Sequence, residues 1–378
     1  MVGVKMVKTA KVMAAFTVLA ALLSGCSQQE SKQTSISNET QNIFDDVFSD
    51  HIDIPIITAD GYDVASGEIN LSEIGEAFVG GMLDSDNLIV LCEESTKLAL
   101  YNISEKTINV LAESEASDTL VAAAGFNEHY LCYIDYHPYS DYVGYTWNYV
   151  DLTSGETKAF FSSDDTVWTF KNAAVVGDKI YFQEVEYIED GVYSYNLYEY
   201  DIATDEASVF SEDSCYPQIY NDSLAFIKDD SQIVVYEDGE INPLIDLRET
   251  DLYQNSFGIG ISGDIVTYSF QIHDSENPEI AATSGVGFIS DNKRVDLISG
   301  TKAINWAENL RFGNNGYAVW NNVGDGSLPV FYDANENAFV VVSGELSRYA
   351  AFAAEDAIIF TAYEQDDIIK YYIVKAKS

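Results

Sequence analysis

The side chains with most to offer a ligand crowd into one short stretch, Asp135-Tyr-His-Pro-Tyr-Ser-Asp-Tyr-Val-Gly-Tyr145, which holds Tyr136, His137, Tyr139, Asp141 and Tyr142. A second stretch, Glu184-Val-Glu-Tyr-Ile-Glu-Asp-Gly-Val-Tyr193, adds Tyr187 and Tyr193. Tyrosine rings bury area at low entropic cost and carry a hydroxyl, which suits recognition surfaces. Their faces take sugar rings and cations alike, and the interspersed carboxylates add hydrogen bonds or charge pairing. These residues are the candidate ligand-binding set, for a carbohydrate or a cationic group. The plainer alternative is that the rings only cover sheet edges.

Chemistry beyond binding has no signature. His51, His129, His137 and His273 are not spaced as a metal pair, and no H-E-x-x-H, G-x-S-x-G or C-x-x-C occurs. With 62 acidic residues, close carboxylate pairs arise by chance, so a glycan-processing enzyme using loop carboxylates is an alternative without a motif of its own. Gly258-Ile-Gly-Ile-Ser-Gly263 fits G-x-G-x-x-G, but Asp264-Ile-Val-Thr-Tyr-Ser269 continues as a strand where a dinucleotide site needs a helix N-terminus. Asp333-Ala-Asn335-Glu-Asn337 spaces three side-chain oxygens as a calcium loop does, yet lacks that loop's glycine and distal glutamate; turn chemistry is the better reading. No cofactor is implied, no catalytic residue is assigned, and no metal ligand is named.

The elements that must position the tyrosines are repeated hairpins. Trp147-Asn-Tyr-Val-Asp151-Leu-Thr-Ser-Gly155-Glu-Thr-Lys-Ala-Phe-Phe161 reads as two strands around a tight polar turn, and the runs Leu98 to Leu111, Tyr198 to Phe210 and Val330 to Val342 share its order of parts. Apolar pairs two residues apart mark a further strand in each repeat: Leu88/Val90, Tyr130/Cys132, Ile180/Phe182, Leu224/Phe226, Ile265/Thr267, Tyr317/Val319 and Ile358/Phe360. They recur at roughly 40–50 residues, the length of one four-stranded blade with its loops. Strands rich in Gly and Ala precede many of them, as at Phe78-Val-Gly-Gly-Met82 and Leu120-Val-Ala-Ala-Ala-Gly125, and suit a crowded centre. The expectation is an all-β, seven-bladed β-propeller of four-stranded antiparallel blades with few helices. The last repeat stops one strand short, at Ile368-Ile-Lys-Tyr-Tyr-Ile-Val-Lys375. Tyr62 to Leu71 matches the second half of the repeat, so Glu68 to Ile74 is expected as the outer strand of blade seven, closing the ring and covering an open edge. Ile52 to Ile57 receives no place.

The N-terminus is basic at Lys5, Lys8 and Lys11, apolar from Val12 to Leu23, and reaches Leu23-Ser-Gly-Cys26. Such a segment reads as a secretory signal too short to span a bilayer core roughly 30 Å thick. Small residues before a cysteine resemble the lipobox of bacterial lipoproteins, and the resemblance implies that Cys26 is the lipidated first residue of the mature chain. Residues 1–25 are then a signal peptide, 26–50 the lipidated cysteine and a disordered tether, and 51–378 the propeller. From Ser27 to about Asn42 nothing in the composition asks for secondary structure. The formal net charge of −43 disfavours nucleic acid and anionic surfaces. Three further cysteines, Cys92, Cys132 and Cys215, exclude a full disulfide framework.

Lipobox, polar tether and repeat-only body together resemble bacterial surface lipoproteins with a TolB-like or low-density-lipoprotein-receptor-like β-propeller. The WD and Gly-His signatures of WD40 repeats are absent. The resemblance implies a lipid-anchored module on the extracytoplasmic face of a cell membrane, binding a ligand or an envelope protein and no nucleic acid. A structural subunit of an envelope complex is the other alternative.

Overall fold

A hairpin turn is built by its own residues, and here the same turn recurs. In the computed structural model, Asp151 Oδ1 accepts from the backbone amides of Thr153 (2.8 Å) and Ser154 (3.0 Å). Asp201 accepts in the same way from Ala203 and Thr204, Asp333 from Asn335 and Glu336, and Asn102 from Glu105. These local bonds substitute for a backbone turn, which is why the aromatic run of these four repeats ends in Asp or Asn. Four residues later the chain is left-handed at Lys106, Gly155, Asp205 and Asn337, with φ of 54°, 74°, 60° and 49°. That reversal lets the outer strand pair back.

The structure describes residues 36–48, 50–70, 78–114, 119–137, 144–163, 172–189, 192–220, 223–229, 231–246, 248, 256–262, 265–273, 281–290, 293–300, 311–312, 316–354, 356–364 and 368–375. Helix α1 (Asn38–Val47) comes first, then β1 (Asp50–His51), β2 (Ile56–Thr58) and β3 (Asp63–Asn70). Blade one is β4 (Phe78–Met82), β5 (Asn87–Cys92), β6 (Lys97–Asn102) and β7 (Thr107–Glu113). Blade two is β8 (Leu120–Phe126), β9 (Tyr130–Tyr136), β10 (Tyr145–Asp151) and β11 (Thr157–Ser163). Blade three is β12 (Ala173–Val176), β13 (Lys179–Glu189), β14 (Val192–Asp201) and β15 (Glu206–Ser211). Blade four is β16 (Ser214–Tyr220), β17 (Ser223–Lys228), β18 (Gln232–Glu237) and β19 (Glu240–Asp246). Blade five is β20 (Ser256–Ser262), β21 (Ile265–His273), β22 (Ala281–Ser290) and β23 (Lys293–Gly300). Blade six takes β24 (Arg311–Phe312) and β25 (Tyr317–Val319), makes an excursion through β26 (Asn322–Ser327), and returns with β27 (Val330–Asp333) and β28 (Ala338–Val341). Blade seven is β29 (Ser347–Ala353), β30 (Ala357–Glu364), β31 (Ile368–Lys375) and, outermost, β3.

The fold is thus the expected seven-bladed β-propeller, and every apolar pair read from the sequence lies on the second strand of its blade. The N-terminal strand of blade seven is present, but as Asp63–Asn70; residues 71–74 of the expected span lie outside the described residues. Gly258 to Ile261 fall in β20 and are followed by strand β21, as the strand reading required. At Asp333 the turn reading also holds, because Oδ1 takes two turn amides and Oδ2 accepts from the Tyr62 hydroxyl at 2.7 Å.

Packing divides the chain into two units. One holds residues 66–254 with 363–371, carrying blades one to four. Within it, neighbouring inner strands come so close that a Cβ on Gly125 would lie 2.3 Å from the Ala173 carbonyl oxygen. Only glycine fits there. Cys92, Cys132 and Cys215 are buried, with burial raising the Cys92 and Cys132 thiols.

The other unit holds the chain up to residue 65 with 255–362 and 372–378. Here the end of the expected 26–50 tether carries structure: Asn38–Val47 forms α1, and Asp50 opens β1. Ser37 caps α1 by accepting from the Thr40 amide at 3.1 Å, and Glu39 suits the positive end of the helix dipole. Ile43, Phe44, Val47 and Phe48 fall at helical spacing on one face; Phe44 and Phe48 are wholly buried against Phe339, Trp320 and Val286. The chain then runs along outer sheet edges. β1 pairs with β23, Asp50 opposite Ser299, and β2 pairs in parallel with β28, Ile56 opposite Phe339. Ile52 to Ile57 therefore finds its place as a strap over blades five and six, and the Tyr62 ring packs edge-on against Phe331 at 5.4 Å.

Candidate functional site

Strand parity decides what lies beneath the tyrosine stretches. On β13, Ile180 and Phe182 are wholly buried toward blade two, and Glu184 continues the same face. Its carboxylate is buried and accepts from Trp147 Nε1 at 2.5 Å and from the Tyr145 hydroxyl, both on β10. An acid of blade three thus fixes two aromatic side chains of blade two. Bonds from two donors offset part of the desolvation of the buried charge. Gln183 does the corresponding work toward blade four, accepting from the Tyr216 amide at 2.9 Å at a β16 bulge where Tyr216 has φ 53°.

Above this floor stands the rim. Tyr136 ends β9 opposite Tyr145 and is half-buried, which raises its phenol above the usual range. His137 follows it directly and is partly buried. Tyr139, Asp141 and Tyr142 lie outside the described residues. The second stretch is not the loop the sequence suggested: β13 and β14 run on past the inner strand β12, which pairs only with residues 179–182, to make a two-stranded extension with Tyr187 opposite Tyr193. Two long antiparallel strands hold their register by their own ladder, so this part of the rim is scaffold rather than loop.

The backbone positions of Tyr136, His137, Tyr187 and Tyr193 thus lie at equivalent ends of adjacent blades. Glu184, Tyr145 and Trp147 were not read as site residues. The signal was present, since Glu184 shares parity with Ile180 and Phe182, but the surrounding acids masked it. Among the described residues no group of three His, Cys, Asp or Glu side chains is disposed to hold a metal ion. Two cavities among these residues lie elsewhere: one of about 430 Å³ beside Val110, Tyr133 and Thr157, the other beside β3 and β31. No helix among the described residues is long and apolar enough to cross a membrane.

No protein family matches the sequence, and no curated protein matches it either. Solved structures do. The chain is similar to a prolyl endopeptidase (TM-score 0.50, 9% identity), covering 78% of this chain and 47% of that one, so it spans about half of that enzyme's length. The β-propeller domain of the Trilobed protease from Pyrococcus furiosus matches with TM-score 0.46 and 7% identity over 77% of this chain and 89% of that domain. An oligogalacturonate lyase from Vibrio parahaemolyticus matches with TM-score 0.47 and 12% identity over 84% and 99%. At such identities the likeness extends to the fold: this chain is a seven-bladed β-propeller.

Proposed function

We propose that the protein is an exported, lipid-anchored binding module that recognises a sugar or a cationic group at the rim of blades two and three. The observation that carries this reading is the Glu184 clamp: a buried carboxylate holding Trp147 and Tyr145, the cross-strand neighbour of Tyr136. Rigid support of this kind lets a binding surface keep its shape without a ligand, lowering the entropic cost of capture. Anchoring through Cys26, by resemblance to the lipobox, would hold that surface outside the membrane. A carboxylate already engaged by two structural donors supports a positioning role in binding better than nucleophilic or acid–base chemistry.

The experiment is a binding screen of the full-length protein against a glycan array and a set of cationic peptides. The Tyr139→Ala/Tyr142→Ala/Tyr193→Ala variant is expected to lose the hit while its thermal unfolding stays near that of the parent. Strong dependence on salt assigns the hit to a cation and weak dependence to a sugar. Binding that survives the triple substitution removes the rim from the proposal, and fatty-acid labelling that survives Cys26→Ser removes the anchor.

A further inference from the structure

A cavity of about 490 Å³ beside the outer strand of blade seven is lined by Ser66, Glu68 and Asn70 of β3, Lys370 of β31, and Lys106 from the β6–β7 turn of blade one. Two lysines meet here in a chain with 19 basic and 62 acidic residues. Five other cations of the described residues pair with acids: Lys97 with Glu93, Lys158 with Asp205, Lys179 with Glu199, Arg248 with Asp246 and Arg294 with Asp296; Lys228 instead donates to Ser211 Oγ and the Glu212 carbonyl. Lys106 is exposed and forms no ion pair among the described residues.

Its backbone supplies the second observation. Lys106 occupies the left-handed position of its turn, where the equivalent turns of blades two, three and six carry Gly155, Asp205 and Asn337. Those three residue types tolerate left-handed φ, and a lysine does so at greater steric cost. The turn's own geometry therefore does not select lysine. Strain retained where a side chain reaches a cavity points to work done by that side chain.

We infer that this cavity binds a small hydroxy- or amino-carboxylate. Lys106 and Lys370 hold the carboxylate as point charges, Ser66 and Asn70 add neutral hydrogen bonds, and Glu68 meets the ligand's hydroxyl or amino group. Glu68 and the strongly negative field of the whole chain favour a monoanion over a phosphate dianion, because repulsion grows with ligand charge. The site is separate from the rim of blades two and three. It joins β3, β31 and the blade-one turn, so occupancy ties the N-terminal strand to blade seven and stabilises the folded chain by mass action.

The test is thermal unfolding and titration calorimetry of the full-length protein with gluconate, lactate and glycine, with lactamide and glycinamide as uncharged counterparts and inorganic phosphate as a dianion. At least one carboxylate is expected to raise Tm saturably while its amide does not. Lys106→Gly removes the charge and gives the turn the residue that blade two already uses, so unliganded Tm holds or rises while affinity falls at least ten-fold. Lys370→Gln should lower affinity similarly. The inference is overturned if none of the carboxylates shifts Tm, if Lys106→Gly binds as tightly as the parent, or if phosphate binds as well as the carboxylates.

Discussion

Blades one to four and blades five to seven solve the same edge problem differently. In the first group the outer strands β7, β11, β15 and β19 end their sheets, and Val110, Val209 and Ile241 on them are 40–48% exposed. In the second, residues hundreds of positions upstream supply the edge: β1 on blade five, β2 on blade six and β3 on blade seven. Helix α1 adds Phe44 and Phe48 to the same core. Blades one to four are each assembled from one contiguous stretch. The others depend on non-local pairing, whose loop-closure entropy must be met before the contacts form.

The largest expected effect tests that dependence. Phe44→Ala with Phe48→Ala removes two wholly buried rings, each worth about 3–5 kcal/mol in comparable cores. Hydrogen exchange should show protection lost in β23 and β28 while β5, β9 and β13 keep theirs. Equal loss in both groups would break the comparison.

A smaller effect is expected inside blades one to four. Gly125→Ala forces a Cβ against the Ala173 carbonyl, and overpacking of this kind costs about 1–3 kcal/mol. Gly61→Ala, with nothing within 4 Å of the added carbon, is the control. Matching urea midpoints for the two variants would mean that the inner strands have room to spare.

The smallest effect sharpens the contrast through pH. Backbone donors from Ser154 and Thr153 hold Asp151 below the usual carboxylate range, and Lys158 followed by Tyr200 does the same for Asp205. A depressed carboxylate contributes stability above its unfolded value, near 3.8, and that contribution is lost as pH falls through the folded value. The amides of residues 153 and 154, which donate to the Asp151 carboxylate, should therefore lose exchange protection on acidification below about pH 4. Turn amides that stay protected down to pH 2 would show that these carboxylates do not hold the hairpins.

Where the sequence was legible, the bond was local. Asp151, Asp201 and Asp333 accept from amides two or three residues on, so the turns and the blade period could be read without knowing the fold. The inner strands were readable too, because close approach of backbones admits little but Gly and Ala, as Gly125 demonstrates. Glu184 was half legible: its parity placed it inward, but nothing nearby in sequence named Tyr145 and Trp147 as its donors.

What only the tertiary structure decided lies at the N-terminal end of the described chain and at the rim. By composition, the polar stretch from Ser37 asked for no structure. It becomes a capped helix because Phe44 finds Phe339 with ring centroids 5.5 Å apart, far along the chain. In water that short helix is marginal, and burial of its one apolar face supplies what propensity does not. Likewise Ile52 to Ile57 has no intrinsic partner and becomes a strap only because β23 and β28 present unpaired edges. Local hydrogen bonding set the repeat; long-range burial chose which sheets the N-terminal segment would complete.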